Sequence, residues 1–466
     1  MGPARERFAF IGRRGFLLRL DESAGSACHS GMAMTAPLEV IESRSTTRDR
    51  LDRYLAVTEP GGAVDALVAA IDGLVARQLD AILHHPSFQR LEAAWRGLWF
   101  VVSRTDFREN IVVLFVSCSK GDLGADFARH PELMSGGLYR LVYEEVFLAA
   151  GGQPYGAVIA GYDFGPGDED VALLRRCAFV AACAHAPFLA AAAPRFFGVD
   201  RFGDLDPTGD LRARFEAPEL AAFAAFRETD DARWIGLTLP RFLLREAHVA
   251  PFRETVTGDD DRLWGGAALA FATRLADSFA RYRWCPNIVG PQGGGQVDDC
   301  TPEARIDLLG DEALSARGFV PLAASAAAAA CFLSAFSVQR PRSFEDTEEG
   351  RAMQLNHWIG AQLPYLFVTS RITQLMKLAF RDLELGRLPP REAEREINDW
   401  IGQHVADRMV LPPGVRRRQV LRKARILVSE VTPEWSKFDL LMRPLFKHQG
   451  AFFTLSVVGK LDRIAP

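Results

Sequence analysis

The chain has 466 residues, of which 48% are hydrophobic and 24% are charged, and its formal net charge is −4 at pH 7. These values are typical of a soluble globular protein with room for about three average domains, and they exclude collagen-like, disordered and disulfide-scaffold proteins. A total charge this close to zero also excludes a global field that would steer the protein to nucleic acid or to an acidic membrane.

Residues 1–60 are predicted to form a flexible N-terminal leader because they show little hydrophobic periodicity. Within this leader, 38–42 has the pattern of one short strand. Residues 12–18 mimic a twin-arginine export signal, but no apolar stretch follows them, so export is not expected. Met32 and Met34 are alternative start positions.

The body of the protein is predicted over 61–410, where helical and strand patterns alternate. A helix over 63–84 follows from apolar residues at steps of three and four, and a second helix begins at Pro86. Further helices are predicted at 132–149, 168–192, 264–282, 321–336, 351–382 and 391–409, and strands at 111–116, 155–162 and 234–239. The alanine tract 323–330 is assigned to a helix on its propensity. This alternation predicts an α/β fold of mixed α+β character, in which helices cover a mixed sheet.

A C-terminal β-module is predicted over 411–466, after the turn at Leu411-Pro-Pro-Gly414. Its strands are expected at 420–431, 438–446 and 452–461. Six of the ten residues in 416–425 are basic: Arg416, Arg417, Arg418, Arg422, Lys423 and Arg425. The run lacks the interleaved aromatic residues of a nucleic-acid surface, so protection of an edge strand or contact with an acidic protein is favoured, with nucleic-acid binding as an alternative.

No spacing of residues indicates a catalytic, metal or cofactor site. The glycine-rich stretch 290–296 lacks the Lys and Ser/Thr of a phosphate-binding loop and predicts a flexible loop. Cys177, Cys183 and His185 fall on different faces of a helix and cannot converge on one ion, so His185 is interpreted as a core histidine. The seven cysteines are read as reduced, mostly buried thiols. We therefore predict no enzymatic activity and no cofactor, with an enzyme that uses an unrecognised site as an alternative.

The run His85-Pro-Ser-Phe-Gln-Arg-Leu-Glu-Ala-Ala-Trp-Arg-Gly-Leu98 resembles the opening of the large subunit of the type VI secretion contractile sheath, the TssC or VipB family. Further segments resemble the same family in order: Gly151–Gly156, Gly161–Phe164, Ala184–Phe188, Leu237–Arg245, Trp264, Phe271, Ser278, Phe279, Trp284, Cys285, Gly290, Gly293–Gly295, Gly318–Leu322, Gln339–Pro341, Leu363–Tyr365, Ser370–Arg371 and Lys377. The resemblance covers roughly 63–410. The leader and the segments 432–435 and 443–446 depart from it, so a principal large subunit and a second, divergent paralogue are both compatible.

The resemblance implies a structural protein of the contractile-tail sheath fold, with an extended N-terminal arm, in the bacterial cytoplasm. Its implied partners are the small sheath subunit (TssB/VipA type), further copies of itself, the Hcp inner tube, the baseplate anchored at the envelope, and the AAA+ unfoldase ClpV. Family members form a helical tube around the Hcp tube and contract to propel it. ClpV then dismantles the contracted sheath through an N-terminal segment of the large subunit.

Two interaction segments are predicted on this basis. Residues 35–43 and 420–461 are expected to pair as strands between subunits. The residues assigned to this interface are Leu38, Val40, Ile41, Arg416, Arg417, Arg418, Arg422, Lys423, Arg425, Phe452, Phe453, Leu455 and Val457. An amphipathic segment over 47–57 is the predicted unfoldase-docking site, with Leu51, Tyr54 and Leu55 on one side.

Overall fold

The computed structural model describes residues 6–12, 60–149, 151–249, 252–325, 328–382, 388–406, 421–432, 435–444 and 455–462. The helices are α1 (Pro60–Leu83), α2 (Pro86–Ser103), α3 (Lys120–Arg129), α4 (Asp168–Ala184), α5 (Leu211–Phe215), α6 (Ala221–Arg227), α7 (Ala267–Tyr282), α8 (Leu308–Ser315), α9 (Glu348–Gly360), α10 (Leu363–Asp382) and α11 (Pro390–Gly402). The strands are β1 (Glu6–Gly12), β2 (Ile111–Ser117), β3 (Tyr155–Phe164), β4 (Phe188–Ala192), β5 (Ile235–Leu239), β6 (Phe242–Arg245), β7 (Leu263–Gly265), β8 (Gln296–Val297), β9 (Phe319–Ser325), β10 (Ala328–Phe332), β11 (Leu421–Thr432), β12 (Trp435–Pro444) and β13 (Leu455–Asp462).

The main sheet has eight strands in the order β2-β1-β3-β4-β5-β9-β10-β8. The first six are parallel, whereas β10 is antiparallel to both β9 and β8. Helices and mixed sheets together confirm the predicted α/β fold of mixed character. No helix in the described part of the chain is long and apolar enough to cross a membrane.

Two hydrophobic cores lie on the two faces of this sheet. Successive residues of β3 alternate between them: Val158 and Ala160 belong to the core that contains α4, and Ala157 and Ile159 to the core that contains α7. Because helices cover both faces, β4 and β5 are buried along their whole length. This burial explains why these strands read as continuous apolar runs rather than alternating ones.

The predicted helix over 168–192 is wrong beyond Ala184. His185 ends α4 in the left-handed conformation (φ 50°), and Pro187 lies two residues further on. Proline cannot continue the hydrogen-bond ladder of a helix, and it biases the preceding residue toward extended backbone. Residues 188–192 therefore form β4, in the middle of the main sheet.

The predicted helix over 321–336 is also wrong, since the described residues of the alanine tract lie in β9 and β10. Alanine favours helices when nothing else decides, but here the tract continues from Phe319 and Val320, which pair in parallel with β5. Tertiary pairing therefore outweighs local propensity. The single helix predicted over 351–382 is likewise two helices, and Pro364 lies in the first turn of the second, where proline is tolerated.

The prediction that the leader lacks fixed structure does not hold for residues 6–12, which form β1. This strand pairs in parallel with β2 on one side and with β3 on the other. The sequence does not predict this strand, because it has only seven residues and its pairing partners lie about 100 residues or more further along the chain. Such distant pairing leaves no local periodic pattern. The predicted interface strand at 38–42 lies outside the described residues.

Two of the C-terminal strands, β11 and β12, share a core with the helices that precede them. Ile372 and Met376 of α10, Ile397 of α11, and Ile426 and Phe438 of the sheet belong to one hydrophobic cluster. The sequence places a boundary at 411, between these helices and the strands. Packing joins the two sets of elements across it.

Candidate assembly interfaces

The C-terminal sheet is the region in which sequence reasoning places most interface residues. β12 is its central strand and pairs antiparallel with β11 and β13. On one face, Ala424, Ile426 and Val428 lie opposite Met442, Leu440 and Phe438, and this face joins the core shared with α10 and α11. A sheet with one buried and one open face is typical of antiparallel strands.

The open face of this sheet carries part of the predicted basic cluster. Lys423 and Arg425 are exposed on β11, and Arg422 is half-buried. Lys423 lies opposite Arg443, so the two strands present basic residues side by side. Arg416, Arg417 and Arg418 lie outside the described residues.

The outer edge of β11 is covered by side chains of α11. Asn398 Nδ2 donates to the Ile426 carbonyl at 2.7 Å, and Asn398 Oδ1 accepts from the Ile426 N–H at 2.9 Å. Glu394 Oε2 accepts from the Val428 N–H at 3.0 Å. Nearer its start, the Leu421 N–H and carbonyl bond to the backbone of 404–406. The helix thus supplies the bonds that a further strand would make, which is one way that proteins protect a sheet edge.

β13 forms the opposite edge of the sheet. Leu455 and Val457 lie in it, in register with Met442 and Leu440 of β12. Among the described residues its backbone pairs with one strand only, β12. Phe452, Phe453, Leu38, Val40, Ile41 and the docking residues Leu51, Tyr54 and Leu55 lie outside the described residues.

A row of apolar residues on α1, which the sequence predicts as one face of a helix, is exposed in the structure. Its members are 40–60% exposed: Val64, Val68, Ile71, Leu74, Val75 and Ile82. Apolar positions at steps of three and four usually face a core of the same chain. An exposed apolar row is distinguished from a core-facing one by its solvent exposure, and a single sequence does not contain that information.

A buried ionic cluster organises the small compact unit that contains α1, which is formed by described residues of 60–93 and 245–263. Arg245 contacts Glu92 Oε1 through Nε at 3.0 Å and Glu254 Oε1 through Nη2 at 3.0 Å. Burial would raise the pKa of Glu254, but hydrogen bonds from Arg245, the His248 N–H and His84 outweigh it and hold that pKa at about 2. The cluster joins the loop 245–263 to His84, just after α1, and to Glu92 in the first half of α2.

The histidine that the sequence assigns to the core, His185, lies edge-on to Trp234 at 5.3 Å. Burial, with a smaller contribution from Lys377, lowers its pKa well below 6.5. Its carbonyl accepts from Gln374 Nε2 of α10, which also bonds to the Tyr155 and Ala184 carbonyls. This histidine is part of the packing, as predicted.

The glycine-rich stretch 290–296 is a loop, as predicted, but a tightly packed one. A Cβ on Gly295 would lie 2.3 Å from the Phe332 carbonyl oxygen, and Gly294 has φ 91°. The Gly290 N–H donates to the Phe332 carbonyl at 2.7 Å. These glycines allow the backbone to approach β10 closely. The two-residue strand β8 follows them, so the strand–loop–helix frame of a phosphate site is missing here.

One buried carboxyl group lies on α8. Asp311 Oδ2 accepts from Ser334 Oγ at 2.8 Å, and that hydroxyl is 2.5 Å from Ser315 Oγ. Burial raises the pKa of Asp311 to about 6, although the hydrogen bond from Ser334 opposes the shift. No group of three or more potential metal ligands occurs among the residues described.

Comparison with known proteins identifies related chains along most of the sequence. The family model VipB, described as EvpB/VC_A0108, tail sheath N-terminal domain, matches residues 65–339. The model VipB_2, described as EvpB/VC_A0108, tail sheath gpW/gp25-like domain, matches residues 352–461. The chain is 31% identical over 438 residues to the type VI secretion system sheath protein TssC1 of Pseudomonas aeruginosa PAO1, covering 86% of each chain.

Proposed function

The chain is a type VI secretion sheath protein of the TssC/VipB family, and we propose that it pairs with a small sheath subunit and polymerises with it into a contractile helical tube. The tube surrounds an Hcp inner tube in the bacterial cytoplasm and starts at an envelope-anchored baseplate. Contraction then propels the inner tube, and the protein itself catalyses no reaction. The family match across both sheath domains is the observation that carries this proposal.

Neighbouring subunits are linked by strand addition to the C-terminal sheet, which receives the arm at 35–43 of another copy. The edges of this sheet are β11 and β13, and among the described residues β13 is the edge that suits such an addition. Side chains of α11 already occupy outward-facing groups of Ile426 and Val428, so an incoming strand would displace Asn398 and Glu394. β13 makes no such bonds within the described residues, so the incoming strand pairs with β13.

Main-chain pairing suits a lattice that must rearrange without coming apart. Strand ladders supply many hydrogen bonds whatever the side chains, and the extended arms allow the bodies to change position while the bonds persist. Contraction is then a change between two packings of rigid bodies, driven by the difference in their free energies. The unfoldase acts afterwards through Leu51, Tyr54 and Leu55.

Co-expression with the small subunit and negative-stain microscopy test the proposal. The intact pair is expected to form tubules. A chain that lacks 450–466, and with them β13, is expected to stay folded and to form none. A chain that lacks only 463–466 keeps β13 and serves as the matched control. Normal tubules from the longer deletion would contradict strand addition at β13, whereas failure of the intact pair would contradict the sheath proposal itself.

The unfoldase site needs a different design, because removing the whole leader would also remove β1 from the main sheet. Simultaneous alanine substitution of Leu51, Tyr54 and Leu55 leaves that strand unchanged. Capture by the ClpV N-terminal domain is expected to fall for this variant and to remain for one substituted at Ser45 and Thr46, which precede the docking segment. Equal capture of both variants would refute the docking assignment.

A further inference from the structure

A small internal cavity lies between α10, the loop that follows α7 and the start of β3. Its walls include Ser370 and Gln374 of α10, Trp284 of the loop and Gly156 of β3. Trp284, Ser370 and Gln374 are 6%, 3% and 1% exposed, so all three side chains are withdrawn from bulk solvent. The volume of the cavity is about 10 Å³, which is the room that one water molecule needs.

The polar atoms around this cavity outnumber the protein groups that can pair with them. In the part of the chain that the structure describes, Trp284 Nε1, Ser370 Oγ and Gln374 Oε1 are buried without a hydrogen-bond partner. Nearly all buried polar atoms in native proteins are paired, because an unpaired one costs its full desolvation penalty. Three such atoms on the walls of one cavity therefore indicate a bound polar group.

The amide of Gln374 has a fixed orientation. Its Nε2 donates to the carbonyls of Tyr155, Ala184 and His185, at 2.8, 3.1 and 2.8 Å. Because these acceptors occupy the nitrogen side of the amide, Oε1 is left as an acceptor on the other side. Ser370 lies one helical turn before Gln374, on the same face of α10. One face of the helix thus brings an acceptor and a hydroxyl to the cavity.

Trp284 reaches the cavity from the other domain of the chain. Ser278 of α7 donates to the Trp284 carbonyl at 2.9 Å, which fixes the loop against that helix. The Trp284 ring belongs to the hydrophobic cluster that contains Val368 and Ile372 of α10. An indole N–H can only donate a hydrogen bond. The cavity therefore has one obligatory donor, one obligatory acceptor and one hydroxyl that can act as either.

This mixture of donor and acceptor distinguishes water from an ion. A water molecule can accept from Trp284, donate to Gln374 and bond to Ser370, which makes the three hydrogen bonds that are usual for a buried water. An anion would pair with Trp284 and Ser370 but would leave Gln374 Oε1 facing a negative charge. Arg371 also lines the cavity and would attract an anion, so an anion is the alternative to be tested.

We propose that the cavity binds one structural water molecule, held by Trp284 Nε1–H, Gln374 Oε1 and Ser370 Oγ. Trp284 lies in the segment 65–339 that matches the tail sheath N-terminal domain, and the other two lie in the segment 352–461 that matches the gpW/gp25-like domain. The water joins the two sheath domains by hydrogen bonds. The site is formed within a single chain, so it does not depend on the proposed assembly.

A crystal structure of the intact chain, grown with bromide as the halide, tests the site directly. We expect one density peak about 3 Å from both Trp284 Nε1 and Gln374 Oε1, without an anomalous bromide signal. An anomalous peak at this position would assign the site to an anion and would overturn the proposal. The absence of any peak in the cavity would also overturn it.

A double-mutant cycle tests the same site in solution. Trp284→Phe removes the N–H but keeps an aromatic ring, and Ser370→Ala removes the hydroxyl. Each loses about one hydrogen bond, so amides of α10 should exchange about fivefold faster. Because both bonds go to one water, the double variant should exchange about tenfold faster or less, rather than by the product of about 25-fold.

Ser337→Ala is the matched control for this cycle. Ser337 is 0% exposed and its hydroxyl has no partner among the described residues, but it does not line the cavity. Its effect on exchange, whatever its size, should multiply with that of Trp284→Phe. If the effects of Trp284→Phe and Ser370→Ala multiply in the same way, the two groups share no water and the proposal is wrong.

Discussion

Replacement of Asn398 by alanine is expected to loosen the first strand of the C-terminal sheet. The change removes the two hydrogen bonds that join Asn398 to the N–H and carbonyl of Ile426. A typical intramolecular hydrogen bond contributes about 1 kcal/mol, so local opening of β11 should become easier by about 2 kcal/mol. Since 1.4 kcal/mol corresponds to tenfold, amides of 421–428 should exchange about 30-fold faster.

Two further variants on the same helix calibrate this measurement. Glu394→Ala removes one bond, to the Val428 N–H, and should accelerate exchange about fivefold. Glu396 is 49% exposed, and its contact with Arg395 spans 3.8 Å, so Glu396→Ala should change exchange by about twofold or less. If the amides of 421–428 exchange at the same rate in N398A and in E396A, the conclusion that α11 closes this edge is refuted. If N398A opens the edge, it should also produce irregular aggregates alongside tubules.

Two further tests concern the buried ionisable groups at Arg245 and Asp311. Arg245→Met leaves Glu254 buried without its cation and should destabilise the loop 245–263 by about 3–5 kcal/mol. Faster amide hydrogen exchange in that loop would report the loss. Arg262→Met is the control, because it breaks only an exposed pair with Asp259 and should cost less than about 1 kcal/mol. For Asp311, whose pKa is raised from 3.8 to about 6, the favourable protonated form is lost as pH rises through 6, so the wild type should gain stability between pH 7 and pH 4. Asp311→Asn should lack this gain. At pH 7 its free energy of unfolding should exceed that of the wild type by at most about 3 kcal/mol, so it should melt at a higher temperature. Equal melting temperatures of the two proteins at both pH 7 and pH 5 would contradict the assignment.

Helices with strong periodicity and strands bounded by turn residues were predictable from the sequence. The helix predicted at 63–84 is α1 at 60–83, and the strand predicted at 111–116 is β2, although it is largely half-buried rather than buried. Errors arose where a long-range partner decided the structure. The alanine tract 323–330 has the composition of a helix, yet its described residues lie in β9, which pairs with β5 through 319–321, and in β10, which pairs with β9.

The candidate interfaces were predictable only in part, for a related reason. The basic residues Lys423 and Arg425 stand out in composition, and they are exposed on the open face of the C-terminal sheet. The closure of β11 by Asn398 has no sequence signal, because an asparagine in a helix more often faces solvent. The exposure of the apolar row on α1 is similarly invisible in a pattern that describes an ordinary amphipathic helix.

The position of β1 in the main sheet has a consequence for biosynthesis. Synthesis reaches β1 before its partners at 111–117 and 155–160, so β1 waits for about 100 to 150 further residues. At roughly 5–20 residues per second this interval lasts on the order of 5–30 s, during which an unpaired apolar segment is available to any other chain nearby. The main sheet therefore closes only after synthesis has passed residue 160, and until then β1 is open to pairing with other chains.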